Sequence, residues 1–188
     1  MNSFTSHDID SAPAASRPLR EAAAKSLGFV PSLYAGMAES PAALKAYQEL
    51  SVLFGRSALG PVEQQVVLLA VSVENACEFC VAAHSFVARH VAKAPAAVIA
   101  ALRAGETLAD ARLDALAIFA RRIVRARGWV NEGDVRAFLD AGFTRQQALD
   151  VVLGVSMKTL SNYANHLLKT PLDQAFAAER WEAPRKAA

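Results

Sequence analysis

The chain has 188 residues, of which 53 % are hydrophobic, enough for one domain with a sizeable core and too apolar for a disordered protein. Lys plus Arg is 20 and Asp plus Glu is 18, and a net charge of +2 is too weak a field to argue for nucleic acid. Aliphatic runs such as Val66 to Val71 fall far short of the roughly 20 residues that cross a bilayer. The first eight residues have neither a basic start nor an apolar stretch. The expected location is therefore the reducing cytoplasm, where a C-x-x-C pair reads as redox-active or metal-binding rather than as a structural disulfide.

Residues 1–16 are rich in Ser, Ala and Asp and read as a loose N-terminal arm. Pro18 to Phe29 reads as a short helix stopped by Gly28, followed by a tight connection at Val30-Pro31 that carries Leu33 and Tyr34. Ser40-Pro41 starts the next helix, with Ser as N-cap and Pro in the first helical position, and it runs through Leu44, Tyr47, Leu50, Leu53 and Phe54 to Gly55. Gly60-Pro61 opens a helix with Glu63 in its first turn, where the dipole favours a carboxylate. Its body, Val66 to Val71, is apolar on every side, which predicts a central, buried helix. Asn75 reads as an interruption and as the cap of a new helix carrying Cys77.

Ala94-Pro95 begins a short helix ending at Gly105, and an amphipathic helix follows from about Leu108 to Arg127. Its Arg121, Arg122, Arg125 and Arg127 read as a solvated face. Asn131 caps a short helix to Leu139, and Thr144 to Gln147 forms a capping box for a last long helix reaching Leu168. Pro171 breaks that helix, and a final helical piece holds Leu172, Phe176 and Trp181. Trp129 and Trp181 read as core or interface residues. No segment reads as strand. The expected fold class is all-α, with a single helical domain over 17–182 and a short tail over 183–188.

Chemistry concentrates in Glu74-Asn75-Ala76-Cys77-Glu78-Phe79-Cys80-Val81-Ala82-Ala83-His84, which holds both cysteines of the chain. Separations of three, four and seven return to one helix face, so Cys77, Cys80 and His84 are expected in one stripe. A helix N-terminus stabilises a thiolate, His84 can accept a proton, and the second thiol can resolve an oxidised intermediate as a disulfide. Two other readings stay open. One is a pair of buried cysteines beside a hydrogen-bonded histidine. The other is zinc, with His90 or His166 as fourth ligand, although structural zinc usually pairs two ligand knuckles and only one is present. His166, beside Asn162 and Asn165, reads as a structural histidine or as a pocket residue. Dithiol chemistry is favoured, with no cofactor and no metal.

The run from Val66 to His84 resembles the core of the alkylhydroperoxidase D-like, or carboxymuconolactone decarboxylase, superfamily, with weaker similarity around Ser161 to His166 and Thr170 to Asp173. The resemblance implies an all-helical domain assembling as a homo-oligomer, trimer or hexamer, and a thiol-dependent peroxidase. It implies Cys80 as the peroxidatic cysteine, Cys77 as the resolving one and His84 as part of a proton relay. The partners implied are a hydroperoxide substrate and a reductant that is a thiol or a protein-bound lipoyl group. Members that decarboxylate carboxymuconolactone lack the cysteine pair. In peroxidase members the relay also uses a glutamate at the position that is Gln65 here, and an amide cannot shuttle a proton in its place. Glu74 is the preferred substitute, ahead of Glu63. A non-enzymatic dithiol sensor or scaffold is the alternative function, and a lactone-acid lyase is a weaker one.

Overall fold

The computed structural model describes residue 4, residues 6–8 and residues 10–184. Residues 1–3, 5 and 9 of the expected arm and 185–188 of the expected tail lie outside them. Among the described residues there are no strands and nine α-helices: α1 (Arg17–Leu27), α2 (Ser32–Met37), α3 (Pro41–Gly55), α4 (Pro61–Glu74), α5 (Glu78–His90), α6 (Ala96–Ala104), α7 (Ala111–Arg125), α8 (Glu132–Asp140) and α9 (Arg145–Leu168). The fold is all-α. No helix among the described residues is long and apolar enough to cross a membrane.

The capping signals in the sequence place most boundaries. Ser40 accepts from the Ala43 amide at the start of α3, Asn131 from Asp134 at α8, and Thr144 exchanges bonds with Gln147 at α9. Glu63 accepts from the Gly60 amide at 2.8 Å and so ties down the start of α4.

The helix α4 is the axis of the domain. Gln65 through Ser72 are buried without a break, because α4 packs against α5, α7 and α9 as well as α3 and α6. A helix wrapped on all sides needs apolar residues on all sides. Burial of Val67, Leu69 and Val71, none of which is exposed, stabilises the fold by about 1.5–3 kcal/mol per side chain. A second apolar centre joins α7 to α8, where Phe119, Phe138 and Phe143 stack at 4.3 and 4.5 Å between ring centroids.

Three segments differ from the sequence expectation. The Val30-Pro31 connection continues into α2, whose first residue is held by Asp173: its carboxylate accepts from the Ser32 amide at 3.1 Å and from the Ser32 hydroxyl at 2.5 Å. A cap supplied 141 residues away in sequence leaves no local signal. The arm is packed over its last part, where Ala12 and Ser16 are buried and the Ser16 hydroxyl donates to the Ala38 carbonyl at 2.7 Å. Trp181 is part-buried and its indole donates to the Arg103 carbonyl, whereas Trp129 is 89 % exposed.

The C-terminal stretch is a 3₁₀ turn, Gln174–Glu179, that folds back over α5. Arg89 and Arg103 reach the Glu179 carboxylate, and Arg103 also donates to the Glu179 and Arg180 carbonyls. Phe176 meets Phe29, Phe79 and Phe86 edge-on or tilted. This closes one side of the helix that carries the cysteines.

The helix α9 reaches α4 through Gly154. A Cβ built there would lie 2.6 and 2.9 Å from the Phe54 ring and 3.0 Å from Val67, inside van der Waals contact. Gly154→Ala is therefore expected to destabilise the protein by about 1–3 kcal/mol despite the better helix propensity of alanine. The urea midpoint of the variant measures it; an unchanged or higher midpoint means that the helices separate without cost.

Candidate active site

The reactive segment lies at the junction of α4 and α5, and its local geometry is set by how α4 ends. The Ala76 amide donates to the Val73 carbonyl and the Cys77 amide to the Ser72 carbonyl at 2.9 Å. That is a Schellman ending, which needs a left-handed residue where glycine is usual. Ala76 fills it at φ 53°, a conformation costing an L-residue about 1–2 kcal/mol. Asn75 is accordingly the last cap of α4 and not the first of α5, and its side chain donates to Asn162 of α9 at 2.9 Å.

Cys77 is the N-cap of α5, and Cys80 and His84 lie on its first turns. The expectation of three residues on one helical stripe holds for Cys80 and His84. Cys77 comes to the same place from extended backbone at φ −90°, ψ 93°. Both thiols are free and buried, and they approach to 3.4 Å.

The surroundings of the pair come from α9. Lys158, Ser161, Asn162 and Asn165 form a polar face at helical spacing on an otherwise apolar helix, and all four are buried. Asn165 Nδ2 donates to Cys80 Sγ at 3.2 Å, and Ser161 Oγ lies 3.9 Å from it. Asn165 Oδ1 is buried without a hydrogen-bond partner among the described residues. Lys158 is 0 % exposed, and none of the ion pairs between described residues includes it. Its Nζ donates to His84 Nε2 at 3.0 Å.

An ammonium can only donate, so His84 Nε2 accepts and the ring proton sits on Nδ1, where it donates to Gln65 Oε1 at 3.1 Å. Gln65 thus fixes the tautomer and orientation of His84, and both ring nitrogens are engaged. That leaves the imidazole no lone pair for a metal. His90 packs against Phe86, and His166 is exposed beside Tyr163. No cluster of three His, Cys, Asp or Glu suited to a metal occurs among the described residues.

The proton affinities of the two thiols are driven apart. Burial acts to raise Cys80, but the hydrogen bond from Cys77, the Lys158 charge and bond, and Asn162 together hold it well below the ordinary cysteine value. Cys77 moves up, first because its proton is held in the bond to Cys80 and then because it is buried. Burial, with the charge of Lys158 beside it, holds His84 well below the usual histidine value, so the ring is neutral. The two sulfurs are thus poised oppositely, Cys80 toward thiolate and Cys77 toward thiol, beside an imidazole held toward its neutral form.

The expected relay position of Glu74 is not occupied by that residue. Its carboxylate pairs with Arg125 at 2.7 Å through two contacts on the outer side of α4, because Glu74 is in the last turn of α4 and faces α7. Glu63 pairs with Arg112. The positions next to His84 belong to Gln65 and Lys158. Lys158 and Asn165 are the site residues that sequence reasoning passed over; their signal is the 158, 161, 162, 165 polar stripe inside Val155 to Leu168.

Above the pair lies an open depression of about 340 Å³ bordered by Ala76, Cys77, Glu78, Phe79, Asn165 and His166, among others. Cys77 borders it, and Cys80 sits behind Cys77. Relative to this depression Cys77 is the outer sulfur and Cys80 the inner one, and both residues are almost wholly buried, at 1 % and 2 % exposure.

Residues 38–122 match the carboxymuconolactone decarboxylase family. Similar solved structures include an uncharacterized peroxidase-related protein from Ralstonia eutropha JMP134, an alkylhydroperoxidase AhpD core. It is 24 % identical, with 92 % of this chain and 93 % of that one covered and a TM-score of 0.80. A peroxidase-related protein from Silicibacter sp. TM1040 is 22 % identical, with 93 % and 94 % covered and a TM-score of 0.76. The debrominase Bmp8, solved with 2,3,4-tribromopyrrole as an alanine-for-cysteine variant, is 15 % identical, with 95 % and 96 % covered and a TM-score of 0.78. No curated protein matches the chain. The family match spans α4 and the cysteine pair, and along nearly its whole length the chain shares the all-helical fold of these alkylhydroperoxidase-like structures.

Proposed function

We propose that the protein is a thiol-dependent peroxidase that reduces hydroperoxides through a Cys77–Cys80 dithiol/disulfide cycle. The observation that carries this reading is the pairing of a stabilised Cys80 thiolate with a protonated Cys77 at 3.4 Å. Thiolate is the reactive form of cysteine. Cys80 attacks the terminal peroxide oxygen and becomes a sulfenic acid, releasing an alcohol, and Cys77 then condenses with it to a disulfide and water. The unpartnered Oδ1 of Asn165, whose Nδ2 already contacts Cys80 Sγ, is suited to accept the O–H of an incoming hydroperoxide. His84 is held in one tautomer and joins Lys158 to Gln65.

The return step uses the outer sulfur. An external thiol approaching through the depression meets Cys77, and attack there expels Cys80. Cys80 is the better leaving group because its thiolate is the stabilised one. The same asymmetry serves both halves of the cycle, with a thiol or protein-bound lipoyl group as the reductant class. The exposed apolar residues Val52 and Leu53 on α3 and Leu149 and Val152 on α9 support a homo-oligomer.

Two experiments test the reading. With an organic hydroperoxide and a recycling dithiol, Cys80→Ser is expected to lower turnover by at least about a hundredfold, and Cys77→Ser to stop after one equivalent with Cys80 as sulfenic acid. Peroxide consumption by Cys80→Ser at the parent rate would rule the mechanism out. Oxidation without turnover would point to a redox sensor, and lactone-acid lysis surviving loss of both cysteines to a lyase.

The second experiment follows the thiolate with pH. A lowered Cys80 means that thiolate absorbance near 240 nm persists as pH falls below the ordinary cysteine range of about 8.5. Lys158→Met is expected to move that transition upward, since burial then acts unopposed by the cation. A parent transition at the ordinary value would refute the assignment of Cys80 as the poised sulfur.

A further inference from the structure

The proposed cycle leaves one buried charge unaccounted for. In the reduced site Lys158 Nζ lies 3.0 Å from His84 Nε2, and its charge and hydrogen bond help to hold Cys80 toward the thiolate, so that sulfur and ammonium offset one another beside an imidazole held toward its neutral form. Forming the disulfide removes the thiolate. Lys158 then stands alone in the interior, 0 % exposed, where an unpaired ammonium costs several kcal/mol.

Among the described residues, the groups around it are uncharged. From α5 the groups facing Lys158 are Cys77, Cys80 and His84. From α4 the site receives the neutral amide of Gln65, through His84. From α2 and α3 come Tyr34, which senses the lysine charge directly, and Tyr47 behind it, which interacts with both cysteines. Burial, the largest influence on either, keeps both hydroxyls protonated. Among the described residues no carboxylate joins the group. Lysine, unlike arginine, can shed its proton when buried.

We propose that Lys158 is the proton carrier of the cycle, giving a proton to the departing alkoxide when Cys80 is oxidised and regaining one when the disulfide is reduced. The step balances. The Cys80 thiolate attacks the terminal oxygen of ROOH, the O–O bond breaks, and the sulfenic acid keeps the peroxide proton. The alkoxide RO⁻ takes a proton from Lys158 and leaves as ROH. Cys77–SH then displaces hydroxide from the sulfenic sulfur, and the Cys77 proton and the hydroxide leave as water. The products are disulfide, alcohol, water and a neutral lysine amine. Reduction by a dithiol returns two protons, one to Cys77 and one to Lys158. The site is uncharged overall at both ends of the cycle, and the lysine, not bulk water, bridges them.

This inference rests on the dithiol/disulfide reading above but not on peroxide as the oxidant, so its test uses dithiothreitol alone. The protein is equilibrated with reduced and oxidised dithiothreitol between about pH 6 and about pH 8, below the range in which that reagent's own thiols ionise. Thiolate absorbance of the reduced protein is read in the same samples. If Lys158 carries the proton, the thiolate is present and the equilibrium constant is independent of pH, because the protein binds two protons for two electrons. If Lys158 keeps its proton in the disulfide state, the protein binds only one, and the constant rises about tenfold per pH unit. That slope overturns the proposal, and so does a reduced protein without thiolate. Lys158→Arg supplies the contrast, since a guanidinium does not deprotonate. Where that variant folds, it is expected to keep the thiolate and acquire the tenfold slope. Failure of the peroxide assay alone would leave this titration standing.

Discussion

The attraction between the Cys80 thiolate and the Lys158 ammonium, across the contact between α5 and α9, is the interaction on which the site depends. Taken alone, a buried ion pair is poor support for a fold, because desolvating both charges offsets most of what their attraction contributes. Here the cost is met by hydrogen bonds on each side. Asn165 donates to the sulfur, and His84 accepts from the ammonium while its other nitrogen is held by Gln65. The members come from three helices: Cys80 and His84 from α5, Lys158 and Asn165 from α9, and Gln65 from α4. Gly154 lets α9 lie close against Phe54 of α3 and Val67 of α4, and Lys158, four residues further on, is wholly buried.

The two cysteines differ because their backbones differ. Cys80 is inside the first turn of α5, facing the polar stripe of α9. Cys77 is at the cap, on extended backbone after the left-handed Ala76, and borders the depression. A regular helix through both would have given them similar surroundings and weaker contrast in proton affinity. The local backbone cost at Ala76 is small against the rest of the fold, and it places the two sulfurs in different surroundings.

Much of this architecture was readable from residue order alone, and the exceptions have physical causes. The start of α3, α4, α8 and α9 followed from caps and prolines within four residues of each boundary, and the all-round apolar run of α4 announced its central place. The helix α2 escaped because its cap, Asp173, arrives from the far end of the chain. The junction at residues 74–78 was misplaced because a Schellman ending normally advertises itself with glycine, and alanine stands there instead. Cys77, Cys80 and His84 were visible as a spacing pattern. Lys158 was not, since a lone lysine in an apolar helix is most simply a solvent-facing residue, and only the three-dimensional meeting of α9 with α5 turns it inward. Glu74 was favoured on sequence proximity to Cys77, and proximity along the chain said nothing about which side of α4 it occupies.

The amide at Gln65 has one more consequence. The resemblance to peroxidase members places a carboxylate at that position, so Gln65→Glu looks at first like a repair. In this protein it would be a competitor. A carboxylate at that point would sit against the Nδ1 side of His84, favour the imidazolium, and offer the buried ammonium a second anion through the same ring. The balance that selects Cys80 as the partner of Lys158 would then be shared. Positions 65 and 158 therefore act on one ring from its two sides, Gln65 of α4 at His84 Nδ1 and Lys158 of α9 at His84 Nε2.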